Sequence, residues 1–98
     1  MSKGIYGTKR WIKLRERILR RDGYLCQISK RYGRHVEATT VHHIFPAADY
    51  PEYQWCDWNL ISLSKSAHGK MHDKENGELT EEGMHLLRKT AQARGIKI

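Results

Sequence analysis

The sequence predicts an α+β fold in which two short strands and a short helix sit between longer helices at the two ends. Three observations predict it. A capped segment with an apolar stripe lies near each end of the chain. Two aliphatic runs, "TTVHHI" (39–44) and "NLISL" (59–63), lie between them and read as strands. Fourteen residues with two prolines and five aromatics separate those runs. A chain of 98 residues has room for one hydrophobic core, so residues 1–98 are expected to form one domain.

Thr8 is placed to N-cap a helix running to about Arg21, with Trp11, Leu14 and Ile18 on one face and Gly23 as its stop. The stretch "GYLCQISKRYGRHVEAT" (23–39) reads as a loop or weak hairpin around Gly33. The long segment "FPAADYPEYQWCDW" (45–58) is expected to pack on itself, its aromatics serving the core before anything else. "SKSAHGKMHD" (64–73) reads as a short helix with Ser64 near its cap, despite Gly69. Thr80 caps a last helix to about Arg94, with Glu81 and Glu82 in its first turn and Leu79 and Met84 as an apolar staple. Trp11, Tyr24, Leu25, Leu60, Ile61, Leu63, Met84 and Leu87 are the expected core, with Cys26 and Cys56 buried as small hydrophobes.

Charge is unevenly spread. The formal net charge is +7, yet residues 1–34 alone hold eleven lysines and arginines against Glu16 and Asp22, while the rest of the chain is slightly acidic. A basic half beside a near-neutral half is the footprint of a polyanionic partner, although a charge run alone also suits a solvated helix face. Lys9, Arg10, Lys13, Arg17, Arg20 and Arg21 on the first helix are the candidate DNA contacts. The N-terminus has no apolar core of a signal peptide, and no run approaches membrane-spanning length, so a cytoplasmic protein without a membrane partner is expected.

Six histidines are present, and four are spaced for chemistry. His68 and His72 are four apart, so on a helix their rings share a face, roughly 6 Å apart at Cβ. His42 and His43 are adjacent on a strand and point to opposite sides, so one of them can complete a three-histidine metal site while the other stays free. Three neutral ligands leave open positions on a divalent ion, and a fourth imidazole beside them is suited to general-base work. His35 and His85 lack a partner at useful spacing.

"VHHI", Asn59 in "WNLISL" and "HGKMH", with the spacing Asn-x₈-His-x₃-His, resemble the HNH endonucleases. "WIKLRERILRRDGYLCQ" is similar to the lead-in of small phage-encoded HNH proteins. The resemblance covers roughly residues 8 to 73 and implies a ββα-metal (His-Me finger) core of strand, loop, strand and helix, here flanked by N-terminal and C-terminal helices. It implies that His42, His68 and His72 hold one divalent ion, that His43 is the general base, and that Asn59 ties down the loop and orients that base. It implies metal-dependent hydrolysis of DNA phosphodiesters to 5′-phosphate and 3′-hydroxyl ends. The histidine set suits Zn²⁺, Ni²⁺, Co²⁺ or Mn²⁺, while relatives often use Mg²⁺ or Mn²⁺. It also implies a phage or prophage origin in a bacterial host, with terminase or portal proteins as further partners.

The chain departs from many such relatives at a structural zinc site. Two CxxC pairs are replaced by Cys26 with Ser29 and by Ser64 with Ala67, so no thiolate zinc is expected. Two other readings stay open: a non-catalytic DNA-binding module stapled by zinc with Cys56 or Asp73 as fourth ligand, and a phage packaging partner that docks through the aromatic loop.

Overall fold

The computed structural model describes residues 5–98. Its elements run α1 (Lys9–Arg21), α2 (Gln27–Arg31), β1 (Thr40–His43), β2 (Leu60–Leu63), α3 (Lys65–Gly69) and α4 (Glu81–Arg94), with two 3₁₀ turns, Pro51–Tyr53 and Asp57–Asn59, in the long loop. The strands pair antiparallel with Thr40 opposite Leu63, Val41 opposite Ser62, His42 opposite Ile61 and His43 opposite Leu60. Residues directly opposite share a face, so the register sorts side chains into two sets. Val41 and Leu60 join Trp11, Leu14, Ile18 and Leu19 of α1 in one cluster. Ile61 and Leu63 join Phe45, Met71, Leu86, Leu87 and Ala91 in a second. A two-stranded sheet is marginal alone and is stable here because both faces are covered.

The end helices form for local reasons. Thr8 accepts the Trp11 amide and Thr80 accepts the Gly83 amide, each supplying one of the orphan donors at a helix start. Gly95 closes α4 with a left-handed φ of 69°. Gly83 in α4 has a different purpose: a Cβ there would lie 2.5 Å from the Met71 carbonyl oxygen, so only glycine allows α4 to dock so closely. Asp22 ends α1 and ties it to the sheet, its carboxylate accepting the Ser62 amide while Arg21 donates to the Leu60 carbonyl. Those two side chains cover part of the free edge of β2, which would otherwise offer unpaired backbone groups.

Several expectations need correction, among them Leu25, which is half-buried and joins neither core cluster. The segment 23–39 does fold back, with Leu25 bridging Glu37, but it also contains α2, a single turn with no side-chain cap. Tyr24 is exposed, not core: its left-handed φ of 59° turns the ring outward, where the hydroxyl donates to Glu16. The third helix stops at Gly69, well short of residue 73. Asp73 begins a tight loop in which its side chain accepts the Glu75 and Asn76 amides, a local alternative to helix that removes His72 from α3. Cys26 is fully buried and Cys56 only partly so. Ser29 and Ser64 lie beside Cys26, so three of the four positions that the resemblance assigns to a thiolate zinc lie together, with a thiol at Cys26 alone. No described helix is long and apolar enough to cross a membrane.

Candidate active site

Alternation along β1 separates the adjacent histidines, as their spacing predicted. His42 shares the Ile61 face and turns toward α3, whereas His43 shares the Leu60 face and turns toward α1. Both still border one cleft, because the sheet is only two strands wide.

His42 meets His68 and His72 at ring-centroid distances of 5.2 and 5.3 Å, and those two rings are 5.6 Å apart. One nitrogen from each of the three lies within 4.8 Å of the others. Bonds of about 2.1 Å to an ion allow at most about 4.2 Å between ligand atoms, so small ring rotations bring the set to coordinating distance. His42 is 1% exposed, and neither of its ring nitrogens has a hydrogen-bond partner. A buried imidazole without partners is costly, and a bound cation removes that cost. Burial first, then the neighbouring histidines, push His42 down to about 3, and His68 is also pushed down by burial and by His72. Both rings are therefore held neutral, the form that binds metal. His72 has left the helix but keeps its place: its Nδ1 donates to the Gly77 carbonyl at 3.1 Å, which leaves Nε2 as the ligand atom. The three histidines fit one divalent ion. Among the described residues no cysteine or carboxylate joins them, so neither Cys56 nor Asp73 supplies a fourth ligand.

His43 is held differently. A carbonyl can only accept, so Nε2 carries the proton that it donates to the Gln54 carbonyl at 3.0 Å. That leaves Nδ1 as an acceptor, and the Tyr6 hydroxyl donates to it at 3.4 Å. Trp11 stacks on the ring at 5.2 Å with 19° between planes, and Tyr6 meets the ring edge-on. Burial lowers the His43 pKa, while the bond to Gln54 opposes the shift.

Asn59 is fully buried, and its side chain hydrogen-bonds only to backbone. Its side chain accepts the Phe45 amide at 2.7 Å and donates to the Phe45 and Tyr53 carbonyls at 3.0 and 3.1 Å. It thereby closes the long loop at both ends and fixes the chain one residue before the Gln54 carbonyl.

The basic candidates on α1 are less uniform than their sequence. All six are exposed, but Arg10 lies 3.9 Å over the Trp55 ring, Arg17 pairs with Asp57, and Arg20 pairs with Glu16. Arg21 is engaged by Asp22 and by the Asp57 and Leu60 carbonyls. Lys9 and Lys13 have no acidic partner among the described residues. Several groups at the site carried no signal as site residues: the Gln54 carbonyl behind His43, and Gly77, Tyr6 and Trp11 in the cleft itself, Trp11 being legible only as core. The Trp11 to Arg15 spacing of four was the one available hint that Arg15 also borders the cleft.

No family model and no curated protein matches the sequence. Among solved structures, the HNH endonuclease of the deep-sea thermophilic bacteriophage GVE2, crystallised with a manganese ion, is similar over 95% of this chain and 82% of that one, with a TM-score of 0.66 and 25% identity. The chain has an HNH-like fold. Strands β1 and β2 and helix α3 are the ββα core of that fold, with α1 and α4 as its flanking helices. The HNH-like core accounts for the loop between the strands, for Asn59 at its end, and for the cluster of His42, His68 and His72 that could hold a divalent ion.

Proposed function

We propose that the protein is a metal-dependent DNA endonuclease, with His43 as general base and one divalent ion held by His42, His68 and His72. The observation that carries this reading is the pairing of a partnerless buried His42 with two further imidazoles, beside a fourth whose tautomer is fixed with Nδ1 as its acceptor, reached in the metal-free protein by the Tyr6 hydroxyl that borders the same cleft. A bound divalent ion would supply Lewis-acid stabilisation of charge developing on the phosphoryl group. The rest falls to the chain. His43 Nδ1 takes the proton of the attacking water, and the Gln54 carbonyl stabilises the imidazolium that forms by keeping the Nε2–H bond. Trp11 limits ring rotation, and Asn59 is a positioning residue acting through the loop backbone.

Lys9, Arg10, Lys13, Arg17 and Arg20 supply phosphate contacts along α1, with Arg21 adding charge while its guanidinium remains engaged. A zinc-stapled module without catalysis has less support, since three ligands leave the ion open. Docking of a terminase or portal protein through the aromatic loop is also weaker, because Phe45, Tyr50, Tyr53 and Trp58 pack on one another.

Plasmid cleavage with Mn²⁺, Zn²⁺, Ni²⁺ and Mg²⁺ in turn tests the proposal. His43→Ala should lose about 10²–10⁴-fold in rate while keeping its ion content. Cleavage at the wild-type rate by that variant removes His43 from the chemistry. No cleavage by the wild type with any of these ions sinks the nuclease reading.

A further inference from the structure

Arginines on α1 divide by what they touch. Arg10 stacks on Trp55, Arg17 pairs with Asp57, Arg20 with Glu16 and Arg21 with Asp22. Arg15 differs from all four. Among the described residues it has neither a carboxylate nor a ring partner; its Nη2 donates to the Thr39 carbonyl at 2.7 Å. A guanidinium has five N–H donors, so this bond anchors the group and leaves donors free. Arg15 lies one helical turn after Trp11, and the two side chains border the same cleft as His42, His43 and His68.

No aspartate or glutamate lines that cleft. An unpaired arginine beside neutral imidazoles leaves the cleft cationic before any ion binds, and more so afterwards. The anion that fits must be shared between a guanidinium and a metal position with His43 close by. A phosphate oxygen has that chemistry, and a planar guanidinium recognises it by paired donors as lysine cannot.

We infer that Arg15 is a substrate-binding residue, donating to a non-bridging oxygen of a DNA phosphate seated in the cleft, with the Thr39 carbonyl fixing its direction. The inference rests on the nuclease reading for the identity of the substrate, but the contact itself does not require cleavage.

Fluorescence anisotropy of a short duplex titrated with the protein in EDTA, where no cleavage competes, tests the contact across a salt series. Arg15→Gln should lower the slope of log affinity against log salt by about 0.9, the value of one phosphate contact on B-DNA. Arg15→Lys should keep the slope, because it keeps the charge, yet should cut more slowly in the metal-loaded enzyme since it loses the paired donors. Lys89→Gln, on α4 and outside the cleft, should leave the slope unchanged. In metal-loaded enzyme, Arg15→Gln should reduce cleavage about tenfold or more without changing ion content. An unchanged slope in Arg15→Gln overturns the inference and leaves Arg15 as a bracket between α1 and Thr39, as does equal loss of slope in Arg15→Lys. A wild type that never cuts, combined with the expected loss of slope in Arg15→Gln, supports Arg15 as an anion ligand while rejecting the nuclease.

Discussion

Replacing His42 with leucine separates what the site costs from what it does. In the metal-free protein His42 buries two ring nitrogens that bond to nothing, 1% exposed and opposite Ile61 on the sheet. Mutational data put the burial of an unpaired polar group at about 1–3 kcal/mol, and an apolar residue of similar size does not incur that cost. His42→Leu should therefore raise the unfolding free energy in EDTA at pH 7.5 by about 1–3 kcal/mol. For a chain of this size a urea dependence near 1 kcal/mol per molar makes that about 1 M or more in midpoint. Added Mn²⁺ should reverse the order. Wild type gains about 2.7 kcal/mol when free ion is a hundredfold above its dissociation constant, whereas the variant has lost a ligand and gains little.

The pH dependence gives a second signature of the same residue. His42 is held at about 3 in the fold, below the unperturbed value of about 6.5 that it regains on unfolding. Between those values the unfolded chain binds the extra proton, so stability falls as pH drops, by about 1.4 kcal/mol per pH unit for that group. Stability is complete above about pH 6.5 and erodes as pH falls toward 3. The lowered values of His43 and His68 act in the same direction. His42→Leu should flatten this acid limb by one proton. A variant that unfolds more easily than wild type in EDTA, or that keeps the full uplift from Mn²⁺, would refute the reasoning, because His42 would then be satisfied without an ion.

Asn59→Ala strips three hydrogen bonds and leaves the Phe45 amide and the Phe45 and Tyr53 carbonyls without partners, so urea unfolding should show a loss of about 3 kcal/mol or more; a loss below about 1 kcal/mol would mean the loop closes without it. Gly83→Ala should destabilise by about 1–3 kcal/mol despite alanine's higher helix propensity, because the new methyl meets the Met71 carbonyl and the Leu79 side chain. A more stable Gly83→Ala protein in the same assay would show that α4 can shift outward at little cost.

What could be read from sequence was whatever a side chain announces by period or cap. Thr8 and Thr80 mark helix starts that the structure keeps, and the strands match to within one residue. The division of His42 and His43 followed from period two alone. What stayed hidden depends on backbone. α2 buries no residue and has no side-chain cap bond, so no pattern marks it. The break after Gly69 arises from competition between helix and the Asp73 loop, which neither residue decides alone. Tyr24 looked apolar, but its left-handed backbone sends it outward. The Gln54 and Gly77 carbonyls that orient His43 and His72 have no letter in a sequence, since every residue has a carbonyl.

Orientation of His43 thus depends on a loop, and loops are ordinarily mobile. This one is fixed by aromatic packing as well as by Asn59. Phe45 is fully buried and meets Tyr50, Tyr53 and Trp58 at ring-centroid distances of 5.0, 5.3 and 5.9 Å, while Arg94 of α4 lies 4.4 Å over Trp58. The rings come from both ends of the loop, so their contacts close it as a cross-link would. Gln54 follows Tyr53 directly, and its carbonyl is placed by the same ring cluster that completes the core under α4. Ser29, Ser64 and Ala67 stand where the resemblance would place three of the four thiols of a stiffening zinc site. Rigidity at His43, the proposed base, is therefore coupled to hydrophobic packing: any change that loosens Phe45, Tyr53 or Trp58 should free the Gln54 carbonyl and, with it, the tautomer and direction of His43. The proposed metal ligands lie on the other side of that coupling, with His42 on β1 and His68 and His72 on the segment that follows β2. Loss of base orientation can consequently occur with the ion site intact.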